Sequence, residues 1–528
     1  MLQVVILLSL LFISTSAISE GVNLDSNSIT LSMSSEPGTL DSSIVEGSVG
    51  SMLIGNFQEG LVKLNRRSHI EPGVAERWEV DGLNVTFWLR QDAKWHDGSL
   101  VTAHDFVYAW RRLVDPKTGA GGSTFFAYIF ENGKEILAGD KPPESLGVEV
   151  INDFQLKIRL SRPTPYFLDV LADSVYSPLQ QKFVDAQAGR YAADADNLLA
   201  NGPFFIESWV HGASIRLTKN PHYWNVDNVM LDAIDFAYIT PDIRSTFNLY
   251  RNGELAALNL SKTILDEAME AKLRIRKAQS NCASWFLMNF DSERLTSNLN
   301  FRRAISMSID RDAFVNDIIG MPGTTRIDSV FPSGVLGQNQ SFQKEFPAHF
   351  ASRDIATAKV YLEKVRQELK LKEFPPLNLL TNETTLLQAE FMQAQLMNAL
   401  GLEVRIDVQT FKQWLVKVRA GDFDISRDGF CSGGMTDPVY WAGIFESTSS
   451  WNTIGYHNPR YDELMALTHN SGNQIERMTA FSEMQNILND DVVIIPTHES
   501  AIVYVQDKRI KKLSRYPKLN FSGGKIAK

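Results

Sequence analysis

One stretch combines the features of a ligand-holding segment: Phe423-Asp424-Ile425-Ser426-Arg427-Asp428-Gly429-Phe430-Cys431-Ser432-Gly433-Gly434-Met435-Thr436-Asp437-Pro438. Phe423 and Ile425 alternate with polar residues, then the chain breaks into Gly, Ser, Asp and Pro, which predicts a strand feeding an exposed loop. Loops held on rigid strands are where binding groups concentrate. Paired glycines let backbone approach a ligand closely. The chemistry on offer is binding, not bond-making. A tight turn beside a disulfide would have the same composition, so the stretch alone leaves both readings open.

Signs of catalysis or metal binding are absent elsewhere. The chain has no G-x-S-x-G elbow, phosphate-binding P-loop or H-E-x-x-H motif. Its nine histidines are scattered, with none three or four residues apart. Its two cysteines, Cys282 and Cys431, are too few for a zinc cluster. No metal, cofactor or enzymatic activity is expected.

Length and composition set the frame. At roughly 100–200 residues per domain, the 528 residues predict two to four domains. The net charge of −10 argues against a general nucleic-acid binder. Val4–Ile13 is an apolar run too short to span a bilayer. Small residues follow it at Ser14-Thr15-Ser16-Ala17, which predicts a cleaved secretory signal over 1–17, although no basic residue precedes the run. No cysteine follows it, so a lipoprotein is not expected. Two cysteines in an exported chain favour one disulfide over two buried thiols. Closing so long a loop is worth roughly 4–5 kcal/mol in the chain-entropy picture.

Periodicity places the elements. Ile29–Met33, Val85–Arg90, Gln155–Leu160, Ser214–Thr218 and Ala233–Ile239 read as strands. Val49–Leu61 reads as a helix running into a loop. Thr102 is a candidate N-cap for a helix over Ala103–Val114, with Phe106, Val107, Trp110 and Leu113 on one face. From Cys282 onward, helices at Phe301–Ile319, Asp354–Leu369, Leu386–Leu400 and Gln413–Ala420 alternate with strands at Leu377–Leu380, Val404–Val408 and Phe423–Arg427. That rhythm predicts a largely parallel sheet. Helices at Pro459–Thr468 and Ile475–Asp490 follow, then separate strands at Val492–Ile495 and Ala501–Val505.

A resemblance adds to this reading. The succession Glu71-Pro72-Gly73-Val74-Ala75-Glu76-Arg77-Trp78, Val85–Arg90, Ala93-Lys94-Trp95-His96-Asp97-Gly98-Ser99 and Val101–Phe106 resembles the periplasmic oligopeptide-binding proteins of bacterial ABC importers, within the peptide/nickel/opine solute-binding family. Asn201-Gly202-Pro203-Phe204, Asn220-Pro221-His222-Tyr223-Trp224, Phe301–Ile305, Asp310-Arg311-Asp312 and Gly429-Phe430-Cys431 extend the likeness over almost all of the chain.

The resemblance implies an α/β fold of two lobes with an additional third domain, closing by a hinge around the ligand. It divides the chain into a first lobe from 18–58, 179–281 and 501–528, an extra domain at 59–178 and a second lobe at 282–500. It also implies a Cys282–Cys431 disulfide. The implied function is an extracytoplasmic, periplasmic receptor that captures oligopeptides, or a related solute such as a cell-wall peptide, and delivers them to the permease of an ABC transporter. The protein is expected to be monomeric. A ligand sensor serving a signalling partner is the alternative, and an exported hydrolase a remote one.

Matching lining positions are Glu46, Gly47, Ser48, Tyr128, Asn259, Trp285, Asn382 and Phe411, with the backbone of Gly429, Phe430, Cys431 and Ser432. Arg427 matches an arginine that meets a ligand carboxylate; a structural ion pair with Asp424 or Asp428 is the competing reading. The family places an aspartate two residues after the cysteine to hold the ligand's ammonium. Here that position is Gly433. Asp437 or Glu46 would then supply the charge, unless the ligand lacks a free amine. Leu387 replaces a family histidine, and a family lysine near Asp317 is missing, which leaves Arg427 as the C-terminal contact.

Overall fold

The computed structural model describes residues 20–45, 47–66, 68–120, 127–432, 434–515 and 518–527. The expected signal at 1–17, Glu46 and Gly433 lie outside the described residues. Among the described residues, no helix is long and apolar enough to cross a membrane.

Alternating apolar residues build a five-stranded sheet in the order Val22–Asn23, Ser28–Met33, Ala233–Ile239, Ser214–Lys219, Phe204–Val210. Ile29, Leu31, Ile215, Leu217, Phe204 and Phe236 bury against the helix Ser48–Phe57. The Asn201-Gly202 motif fastens this helix's exit. Asn201 Nδ2 donates to the Glu59 carbonyl at 2.8 Å, and the Glu59 N–H donates to Asn201 Oδ1 at 3.0 Å. Gly202 lies so close to Phe57 that an added Cβ would come within 2.7 Å of its carbonyl carbon.

A four-stranded antiparallel sheet runs Ala75–Asp81, Asn84–Leu89, Gln155–Arg159, Val148–Asn152. The helix Ala103–Val114 has the predicted bounds, and its apolar face is buried. Asp105 Oδ2 accepts from the Thr102 N–H at 2.8 Å and from Trp95 Nε1 at 3.3 Å. Burial raises the pKa of this carboxyl to about 6.

The largest sheet has seven strands. Six run in the order Ala257–Asn259, Ile494–Gln506, Arg276–Met288, Ile425–Cys431, Leu377–Asn382, Val404–Gln409, and Thr325–Arg326 pairs with Ile494–Gln506 off this path. The expectation of a largely parallel sheet is corrected. Leu377–Asn382 pairs parallel with both Val404–Gln409 and Ile425–Cys431, whereas the other pairings are antiparallel. The βα rhythm covers only those three strands. Arg276–Met288 enters from outside that rhythm and pairs with Ile425–Cys431 in the opposite direction. The strands predicted separately at Val492–Ile495 and Ala501–Val505 form one strand, Ile494–Gln506, which runs through Pro496, His498 and Glu499.

Arg276–Met288 and Ile494–Gln506 pair along most of their length, but their register shifts between Gln279 and Ala283. Within that break Asn281 is buried and has a φ of 53°.

Candidate ligand-binding edge

The segment Phe423–Ser432 holds more strand than predicted. The strand does not end at Arg427 but runs through Cys431. One edge pairs with Arg276–Met288 from Cys282↔Cys431 to Met288↔Ile425. Cys282 and Cys431, opposite each other in this ladder, form the disulfide. Gly429 belongs to the close approach, since an added Cβ would come within 2.8 Å of the Ala283 carbonyl oxygen. The other edge meets Leu377–Asn382 only at Ile425 and Ser426. From Arg427 to Cys431, that edge pairs with no strand among the described residues. Next to it, Arg427 donates to the Asp428 carbonyl, and the Gly429 N–H donates to Asp428 Oδ1 at 2.6 Å.

Arg427 is 7% exposed. It donates to Gln388 Oε1, to the Trp285 carbonyl at 3.3 Å and to the Asp428 carbonyl, all neutral acceptors. Among the described residues, no carboxylate forms an ion pair with it. The two proposed structural partners are engaged elsewhere. Asp424 accepts from Arg294 at 3.2 Å and from the Asn378 N–H at 2.6 Å, and Asp428 accepts from Gly429. Desolvation lowers the Arg427 pKa to about 10, a shift that the nearby Asp428 charge partly offsets. His498 is buried and shifted down to about 3 by burial and by the Arg427 charge. It is therefore a neutral neighbour.

Several predicted residues converge on this edge. Asn382 and Gln409 face each other at the carboxyl ends of two parallel strands, and Phe411 follows two residues after Gln409. The carboxyl ends of parallel strands are where open α/β sheets place ligands. Phe411 is 66% exposed and stacks on Trp414. Asn382 is buried, and its Oδ1 caps the following turn by accepting from the Thr384 N–H. Trp285 is buried beside Phe445, and its indole N–H has no partner among the described residues. Phe430 packs edge-on against Trp441 and Trp451.

Other predicted residues stand apart. Gly47, with a φ of 81°, begins the helix Ser48–Phe57, and both Gly47 and Ser48 are exposed. Tyr128 is exposed. Asn259 Oδ1 accepts from Arg515 Nη1 at 2.9 Å. Among the described residues, no hydrogen bond or ring contact ties these four to the edge.

Asp437 has a different job from the one expected of it. Both its oxygens accept from Arg477 Nη2 at 2.9 Å, and the two side chains are 9% and 1% exposed. It also accepts from the Val439 N–H. A carboxylate so engaged is not available to swing toward a ligand amine. Sequence reasoning missed Gln388, His498 and Arg477, which have no local motif and meet their partners only through the fold. Among the described residues, no cluster of three or more His, Cys, Asp or Glu side chains could hold a metal.

Residues 69–452 match the family described as bacterial extracellular solute-binding proteins, family 5 Middle. The dipeptide-binding protein DppE of Bacillus subtilis is 28% identical over 486 residues, covering 91% of this chain and 88% of that protein. The periplasmic oligopeptide-binding protein OppA of Salmonella typhimurium is 29% identical over 504 residues, covering 93% and 90%. The solved structure of Listeria monocytogenes OppA bound to peptide superposes with a TM-score of 0.78 at 28% identity, covering 95% of this chain and 99% of that one. With a match across most of its length, the chain belongs to the bacterial extracellular solute-binding proteins of family 5.

Proposed function

We propose that this protein is an extracytoplasmic receptor that captures peptides and hands them to the membrane permease of an ABC importer. One observation carries the reading: the unpaired strand edge over Arg427–Cys431, with a buried arginine at its start that has no carboxylate of its own. An extended peptide adds to such an edge as a further strand, and main-chain hydrogen bonds supply affinity whatever its side chains. A buried cation is costly unless paired, and a peptide's terminal carboxylate pairs with guanidinium through charge-assisted bonds. The resemblance to peptide-binding relatives supports the same ligand class.

In this reading the lobes are 18–58 with 179–281 and 501–528, and 282–500; 59–178 is an added domain. The break in the ladder at Gln279–Ala283 serves as the hinge, because a register shift and a left-handed residue loosen the two strands there. Asn382, Phe411, Trp285 and the Gly429–Ser432 backbone line the second lobe's side of the ligand, and Gly47, Ser48, Tyr128 and Asn259 come from the facing side. The mature protein works as a periplasmic monomer, and the disulfide holds the ligand strand to its neighbour.

The test is mass spectrometry of ligands released by denaturing the purified protein, beside melting curves with a tripeptide pool. Released peptides and a raised melting temperature are expected, because a ligand stabilises the state that binds it. Release of a non-peptide, with no shift from any peptide, would overturn the reading.

A further inference from the structure

A cavity of about 300 Å³ lies between the helix Ser48–Phe57, the segment 169–177, Ser514 with the segment 518–523, and Met435. Two of its walls lie close in the chain to residues of the proposed cleft. Met52 and Gly55, which line it, lie one and two turns along the helix from Ser48 on the same face. The Met435 N–H donates to the Ser432 carbonyl at 3.3 Å.

Most charged groups of this cavity are already engaged. Glu59 accepts from Lys63, Tyr223 and Trp224. Asp173 accepts from Lys518 at 3.0 Å, and Glu71 accepts from Asn65 at 2.7 Å. Arg66 donates to the Lys512 carbonyl. Asp169, on the helix Phe167–Leu171, differs: among the described residues, no hydrogen bond or ion pair reaches its carboxylate. Its charged neighbours across the wall are Asp437 and Arg477, which are bound to each other. Burial and the Asp437 charge together raise its pKa to about 7.

A carboxylate in this position lacks only a cation. Arg477 cannot serve without releasing Asp437, Lys518 and Lys63 have carboxylates of their own, and Arg66 is held at the Lys512 carbonyl and is not among the charges acting on Asp169. At about 30 Å³ per water, the cavity holds an ammonium group, its stem and bridging waters. We propose that Asp169 is the cation subsite of this receptor, taking an ammonium from the ligand, either a peptide's α-amine or a basic side chain. The inference rests on the peptide-receptor reading above.

The experiment offers wild type, Asp169→Asn and Asp169→Glu a tripeptide pool and its N-acetylated counterpart at pH 7.5, and identifies captured peptides by mass spectrometry. Wild type is expected to favour the free-amine pool, or else acetylated peptides enriched in Lys and Arg; the first result assigns the ammonium to the α-amine, the second to a side chain. Asp169→Asn is expected to lose that preference at least tenfold, and Asp169→Glu to retain it in part. A reading free of any variant comes from wild type at pH 5.5. There Asp169, with its raised pKa of about 7, is protonated, so the preference should fade. A preference that survives both Asp169→Asn and pH 5.5, or no preference for cations at all, overturns the subsite and leaves the receptor standing. Capture of no peptide by wild type overturns the receptor and the subsite with it.

Discussion

Two arginines in the same region of the chain are both buried, yet they are held in opposite ways. Arg477 spends its guanidinium on protein: two bonds to Asp437, one to Gln474 and one to the Thr468 carbonyl. Arg427 is almost as buried but touches only neutral oxygens. Each has a histidine neighbour shifted down to about 3 by burial first and then by positive charge, from Arg162 and Arg477 at His469 and from Arg427 at His498. The two environments therefore differ mainly in one carboxylate, supplied by the fold in one case and missing in the other. A buried charge completed within the chain serves architecture, and one left incomplete marks a place for something from outside.

The largest effect should come from breaking the completed pair. Arg477→Met leaves Asp437 buried without a counter-ion and should cost about 3–5 kcal/mol of folding stability, read by urea unfolding. The matching change at the other site, Arg427→Met, should leave stability equal or higher, because it removes a desolvated cation. Peptide affinity should instead fall roughly 10–100-fold, the worth of one or two charge-assisted bonds, and C-terminal amidation of the peptide should do the same to wild type in calorimetry. Equal losses of stability in both variants, with affinity intact, would erase the distinction.

The histidines sharpen the comparison by pH. Both are neutral in the native state and have folded pKa values below the unfolded one, so the unfolded chain takes up more protons as pH falls below about 6.5. Stability contributed by each is thus lost on acidification between about 6.5 and 3, at on the order of 1 kcal/mol per pH unit. Carboxyls with raised pKa, Asp169 and Asp105, act in the opposite sense over their own windows, so variants are compared with wild type. His469→Gln should flatten the acid slope with or without ligand. His498→Gln should flatten it less when peptide is bound, because a ligand carboxylate on Arg427 lets His498 protonate more readily. Identical behaviour of the two variants would argue against a carboxylate at Arg427. The smallest effect is expected far from both sites. Asp105→Ala removes the bond to the Thr102 N–H and should cost about 0.5–2 kcal/mol, with affinity unchanged.

What was legible in the sequence was local. The helix Leu386–Leu400 and the helix capped at Thr102 have their predicted bounds, because periodicity and capping chemistry are written within a few residues. The run Asp428–Cys431 reads as a loop because Gly429 and the polar residues around it look like a turn. Their extended form comes from pairing with Arg276–Met288, far away in the chain. Pro496 and His498 split one long strand into two for the same reason. The ligand-facing role proposed for Arg427 could be read from the sequence only through resemblance. That Asp437 is bound by Arg477, and that Asp169 is left unbound, depends on packing between distant segments, which no spacing rule records.

The open edge of Arg427–Cys431 also bears on how the protein can be handled. An unpaired strand edge accepts any extended chain, a second copy of this one included. Its shortness and the charge of Asp428 limit that tendency without removing it. Empty protein at high concentration should therefore self-associate more readily than loaded protein, and ligand added during refolding should raise the yield of dispersed material. In that sense the cargo is also the stopper that keeps the receptor from sticking to itself.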